Sequence, residues 1–154
     1  MSKAPNFKGL TATSDRASQT LKNIKSTETR GERLLRSVLW RKGLRFRKNV
    51  KQLLGKPDIV FPRQRVLVFC DGDFWHGRNW SKDRRRIKTG PNSEYWLAKI
   101  KANMERDKRH NVELRREGWI IIRLWDSDIH ENVEREAQKV LSIITSNSAP
   151  KMRC

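Results

Sequence analysis

Apolar positions in this chain fall into two spacings. Three short runs are continuous or nearly so: Asp58-Ile-Val-Phe61, Val66-Leu-Val-Phe69 and Trp119-Ile-Ile-Ile-Arg-Leu-Trp125. Runs of that length, bounded by turn residues, fit buried strands. Pro62 closes the first, so the first two read as a hairpin, and Arg123 is the only charge in the third. Leu44 to Asn49 alternates apolar and basic residues and predicts an edge strand. Elsewhere the spacing is three and four. Leu35, Val38 and Leu39 predict a helix that begins after Ser26-Thr27 and stops near Lys42-Gly43. Leu97, Ile100, Met104, Asn111 and Leu114 predict a long helix from about Ser93 to Glu117, ended by Gly118. Val133, Ala137, Val140, Leu141 and Ile144 predict a last helix capped by Asp126-Ser127-Asp128. A short amphipathic helix with Ala17, Leu21 and Ile24 on one side is expected from about Asp15 to Lys25. From Gly77 to Gly90 no period emerges, and the stretch reads as a basic loop.

The sum is an α/β protein with a central mixed sheet flanked by helices. At 154 residues one core is the natural size. We expect a flexible basic arm at residues 1–13, a single domain over 14–146 and a disordered tail at 147–154.

Three acids break the pattern. Glu32 lies three residues before Leu35 and seven before Leu39, at the edge of a buried stripe. Asp107 occupies the position in the long helix where the stripe calls for an apolar residue, and an ionised Asp buried there without a partner would cost several kcal/mol. Asp58 opens a strand directly after Pro57. All three can converge on the turn Cys70-Asp-Gly-Asp-Phe-Trp-His76 that ends the second strand.

Charge then narrows the function. Lys and Arg number 35 against 17 acidic residues, a net charge of +18, which calls for a polyanionic partner, nucleic acid first. No apolar run approaches the roughly 18 residues that cross a bilayer, so the expected location is cytoplasmic, beside the nucleoid, with no membrane partner. Two cysteines, Cys70 and Cys154, give neither a disulfide framework nor a zinc pattern. With only His76, His110 and His130 to add, metal chemistry must lean on carboxylates, which suits Mg²⁺, as one ion or two.

Hydrolysis of a phosphodiester needs a cation at the phosphoryl oxygen and a base for the attacking water. Asp58 is the choice for the metal and His76 for the base. Asp107 would accept the other ring N–H of His76, and Glu32 would hold a water beside the ion. Arg78, Lys82, Arg84, Arg85 and Arg86 would neutralise phosphates.

These residues also carry a resemblance. Arg30-Gly31-Glu32, Gly55-Lys56-Pro57-Asp58, Val68-Phe69 through Phe74-Trp75-His76, Tyr95-Trp96-Leu97-Ala98-Lys99-Ile100, Asn103-Met104-Glu105-Arg106-Asp107 and Gly118-Trp119 resemble, in order and spacing, the very-short-patch repair (Vsr) endonucleases. The likeness covers roughly Thr11 to Ile144. It implies a restriction-endonuclease-like fold of the PD-(D/E)xK superfamily and the nicking of one strand of duplex DNA beside a T:G mispair. It further implies that Asp58 and the backbone carbonyl of Cys70 hold the metal, that His76 is catalytic, and that Asp107 and Glu32 support it. Phe74, Trp75 and Trp96 would wedge into the duplex and Asn103 would join the DNA contacts; without the likeness, filling a core is the better reading of the three aromatics.

The chain departs from the family in two places. The structural zinc of its best-known members has no ligands here, because Asp73, Gly77, Arg78 and Asn79 occupy that region. Cys70 and Asp71 stand where those members have a threonine and a histidine, so Asp71 is an extra candidate for the metal. The expected protein acts as a monomer, with a DNA cytosine methyltransferase as candidate functional partner. Two other readings stay open: a homing or restriction nuclease on the same fold, and a non-catalytic basic DNA-binding module.

Overall fold

The computed structural model describes residues 28–148. The expected arm at 1–13, the expected helix from Asp15 to Lys25 and residues 149–154 of the expected tail lie outside the described residues. Helix α1 (Arg30–Arg41) starts at Thr29, two residues beyond the predicted Thr27. Thr29 Oγ1 accepts the Glu32 N–H at 3.2 Å, and the Glu32 carboxylate accepts the Glu28 N–H at 3.0 Å, a reciprocal start close to a capping box. The helix closes in a Schellman turn, with Leu44 N–H on the Leu39 carbonyl and Gly43 N–H on that of Trp40.

Four strands follow in one sheet: β1 (Arg47–Lys48), β2 (Ile59–Phe61), β3 (Val66–Asp71) and β4 (Ile120–Trp125), in the order β1-β2-β3-β4. The first two pairings are antiparallel and β3 and β4 run parallel, so the sheet is mixed, as expected. Strand alternation sends Ile59, Phe61, Val66, Val68, Ile122 and Leu124 to one face, under α1 and the short helix α4 (Asp126–Glu131) and C-terminal helix α5 (Val133–Ser148). Val60, Leu67 and Phe69 face the other way, onto Leu114 of the long helix α3 (Ser93–Arg116). Helices thus cover both faces of the sheet.

Four expectations change. The edge strand shrinks to Arg47–Lys48, because Leu44 and Phe46 turn into the α1-side core. The basic stretch from Gly77 to Gly90 is not a loop but contains helix α2 (Trp80–Lys88). Its apolar side needs only Trp80 and Ile87, seven residues apart, and such a thin stripe is invisible among six basic residues. The single C-terminal helix is two, broken at Asn132, whose side chain caps the second by accepting the Arg135 N–H at 3.0 Å. In α3 the buried stripe is Ile100, Asn103 and Leu114, so the polar Asn103 takes the place expected of Met104. No helix among the described residues is long and apolar enough to cross a membrane.

Candidate active site

Strand β3 hands the chain to the turn that carries His76. There His76 N–H donates to the Gly72 carbonyl at 3.1 Å and Arg78 N–H to that of Asp73 at 3.0 Å. Gly77 holds φ +72°, and a Cβ there would collide with Met104 Sδ. The left-handed φ, more than the pliable Met104 side chain, favours glycine where this turn lies on α3. The close approach brings His76 Nδ1 to 2.5 Å from Asp107 Oδ2, the partner that the misplaced acid requires. Burial resists protonation of His76, but the Asp107 hydrogen bond and the charges of Asp71 and Asp107 outweigh it and hold the imidazole pKa above its ordinary value. Asp107 shifts the other way: burial pushes it up, and His76, Arg123 and Arg106 pull it below the usual carboxylate range.

Register does the rest on this side. Phe69 pairs with Arg123 and Asp71 with Trp125, so alternation points Asp71 and Arg123 to the α3 face. One guanidinium nitrogen of Arg123, Nη1, donates to both Asp71 oxygens at 3.0 Å and lies 3.9 Å from Asp107. Its Nε donates to Asn111 Oδ1 at 2.9 Å, and its plane sits 4.2 Å from the centre of the Phe69 ring.

Asp58 lies behind this group at the head of β2. Its Oδ2 accepts the Cys70 N–H at 2.7 Å, and its carboxyl shares a hydrogen bond with that of Glu32. Both acids are buried, Glu32 only 1% exposed. Burial, joined by the neighbouring Glu32 charge, pushes Asp58 up to about 7 against the pull of the Cys70 N–H. Burial likewise raises Glu32, although the Glu28 N–H, Asp58 and Arg36, 3.7 Å away, oppose it. Asp58, Cys70, His76, Asp107 and Arg123 line one open cleft of about 480 Å³, together with Gly55, Lys56, Phe69, Arg106 and His110. Glu32 supports Asp58 from outside the lining.

The remaining candidates group around that cleft. Phe74, Trp75 and Trp96 form a half-buried cluster, with ring centres 5.4 to 6.1 Å apart. Asn103, expected at DNA, is buried and donates its amide to the Trp75 carbonyl at 3.0 Å, so it supports the aromatic turn from beneath. Lys82, Arg84, Arg85 and Arg86 stand on α2, Lys82 and Arg84 to Arg86 all outside the buried set. Arg78, expected at phosphates, is engaged within the protein. It bonds Ser127 Oγ at 2.7 Å and Asp128 at 2.9 Å and lies 3.5 Å from Asp73. Asp73 also accepts the Ser127 N–H at 3.1 Å and its hydroxyl. This polar clasp ties the His76 turn to the start of α4.

Sequence reasoning missed Arg123, and with it Lys56, Arg106 and His110 as cleft residues. Arg123 did leave a signal, as the lone charge in an otherwise apolar strand. Lys56 and Arg106 stood only as members of the motifs that carry the family likeness and His110 only as one of three histidines, with nothing else to set them apart in a chain of net charge +18.

A strongly basic α/β protein whose buried acids and imidazole meet in a cleft at the end of β3 has the makings of a nuclease. Comparison with known proteins agrees. A family model described as DNA mismatch endonuclease Vsr matches residues 11–82. The chain is 42% identical over 120 residues to the type II nicking enzyme V.HpaIIP of Haemophilus parainfluenzae, covering 76% of this chain and 84% of that protein. It is 39% identical over 128 residues to the type II nicking enzyme V.NmeDIP of Neisseria meningitidis serogroup C, covering 83% and 85%. It is 33% identical over 109 residues to the DNA mismatch endonuclease Vsr of Escherichia coli K12, covering 71% and 68%. The chain belongs to the Vsr endonuclease family and is a DNA endonuclease.

Proposed function

We propose that this endonuclease nicks one strand of duplex DNA at a T:G mispair in a Mg²⁺-dependent reaction, on a restriction-endonuclease-like scaffold. The observation that carries the reading is the His76–Asp107 pair at 2.5 Å inside the cleft that Asp58 also lines. With Nδ1 held by Asp107, Nε2 is the ring nitrogen left to take a proton from water, and the carboxylate steadies the imidazolium that results.

The donor set fits a hard cation. Two buried carboxyls in contact, Asp58 and Glu32, retain a proton that a divalent ion would displace, and oxygen donors suit Mg²⁺. Asp58 and the Cys70 carbonyl are the residues that would hold it. When bound, the ion polarises the phosphoryl oxygen and offsets its developing charge. Glu32, buried behind the cleft, orients Asp58 through their shared hydrogen bond.

Lys56 and Arg106 line the cleft with positive charge that draws in a phosphate. The Phe74, Trp75 and Trp96 cluster offers apolar rings as a wedge, and unstacking a base pair costs least where pairing is already weak. One chain supplies every group in this scheme, which favours action as a monomer.

The test uses labelled duplexes with T:G, with other mispairs and fully paired, in Mg²⁺ or EDTA, with wild type, Asp58→Ala and His76→Ala. Single-strand nicks confined to T:G and lost in EDTA and in both variants are expected. Equal nicking of paired and mispaired duplexes would overturn mismatch selection and favour a restriction or homing role. Nicking retained by both variants would overturn the roles given to Asp58 and His76, and a wild type that binds duplexes but nicks none would leave only a basic DNA-binding module.

A further inference from the structure

Asp71, His76 and Asp107 look like a second metal site, since one potential ligand atom from each lies within 4.8 Å of the others. The space they would share is already taken. Arg123 Nη1 sits 3.0 Å from both Asp71 oxygens and 3.9 Å from Asp107. The guanidinium is also fixed by Asn111 at 2.9 Å and by the Phe69 ring face at 4.2 Å. A planar cation pinned on three sides cannot swing out without stranding Asp71, which is buried.

Resting on the nuclease reading above, we propose that Arg123 is the resident cation of this cleft: it holds Asp71 and Asp107 in place of a divalent ion, so that Asp107 orients His76 and metal is confined to the Asp58 side. Arg123 is then a positioning residue. It acts through the two carboxylates and keeps His76 Nδ1 on Asp107 rather than on a metal.

Removing the positive charge should open the site. Arg123→Met and Arg123→Gln are titrated with Co²⁺ and followed by visible absorption, Gln being the gentler variant because it still hydrogen-bonds Asp71. Each is expected to bind about one more Co²⁺ per chain than wild type, through a mixed imidazole and carboxylate ligand set. Adding Asp71→Asn to either should abolish the extra ion. In the nicking assay kcat should fall about ten- to hundredfold while KM for the duplex changes far less, as is usual when a group that orients a reactive residue is removed. Arg123→Lys should recover part of that loss.

If neither Arg123→Met nor Arg123→Gln gains a Co²⁺ ion, the proposal is overturned, as it is if the extra ion survives Asp71→Asn. The metal titration needs no catalysis. Wild type that nicks no duplex would therefore refute the functional reading and leave the Co²⁺ result to decide this one.

Discussion

Asp107→Asn tests whether the His76 pair does chemistry or only holds the turn. The substitution keeps size and shape but replaces the acceptor 2.5 Å from Nδ1 with a neutral amide. Two effects follow. Without the carboxylate the imidazole loses its preferred tautomer and the partner that stabilises its protonated form, and removing such support costs on the order of 10² to 10⁴ in kcat, or about 3–5 kcal/mol of barrier. The second effect is a shift with a definite sign. A base must be neutral to accept a proton, so wild-type activity falls as pH drops through the His76 pKa, which lies above the ordinary imidazole value of about 6.5. Asp107 supplies the largest of the upward contributions, so in the Asn variant the acid limb of the kcat profile should move to lower pH. Single-turnover nicking from pH 5 to 9 measures both. A variant whose rate falls uniformly while the limb stays put would reduce Asp107 to a structural role, and a rate within about threefold of wild type would refute the pairing as a catalytic device.

Three further outcomes follow from the same geometry. Asp58→Asn should abolish nicking in Mg²⁺ yet, melted in EDTA, raise Tm by about 2–4 °C, because it removes one of two buried carboxyls in mutual contact and keeps the Cys70 and Glu32 hydrogen bonds; a lowered Tm would count against a site built for a cation. Asp73→Ala removes the acceptor for Ser127 and the ion pair to Arg78. The clasp is partly exposed, so about 1–2 kcal/mol and a Tm drop of about 3–8 °C are expected in a thermal melt, and an unchanged Tm would mean that the clasp holds nothing. Arg84→Ala with Arg85→Ala on α2 should lower the slope of log K against log salt by about one for each phosphate no longer neutralised, measured by fluorescence anisotropy; an unaltered slope would clear α2 of any part in holding DNA.

Much of this protein was written in the one-dimensional pattern. The apolar runs at Ile59–Phe61, Val66–Asp71 and Ile120–Trp125 became strands, and the three-four spacing from Ser93 became a long helix, because burial of one face dictates period wherever an element is mostly covered. The same rule exposed Asp107 and Glu32, since a carboxylate in an apolar stripe demands a partner. It failed where a helix buries almost nothing: α2 touches the fold through Trp80 and Ile87, and the break at Asn132 rests on a cap that propensity does not announce.

Partners were another matter. The sequence determined that Asp107 needed one, but only the Gly77 turn lying on α3 decided that it was His76. The parallel register of β3 and β4 decided that Arg123 reaches Asp71, and the hairpin decided that the Asp58 and Glu32 carboxyls meet. Periodicity encodes which side of an element is buried. Which side chains face one another across a cleft depends on strand register and on the close approach of separate segments, and those distances exist only once the chain is folded.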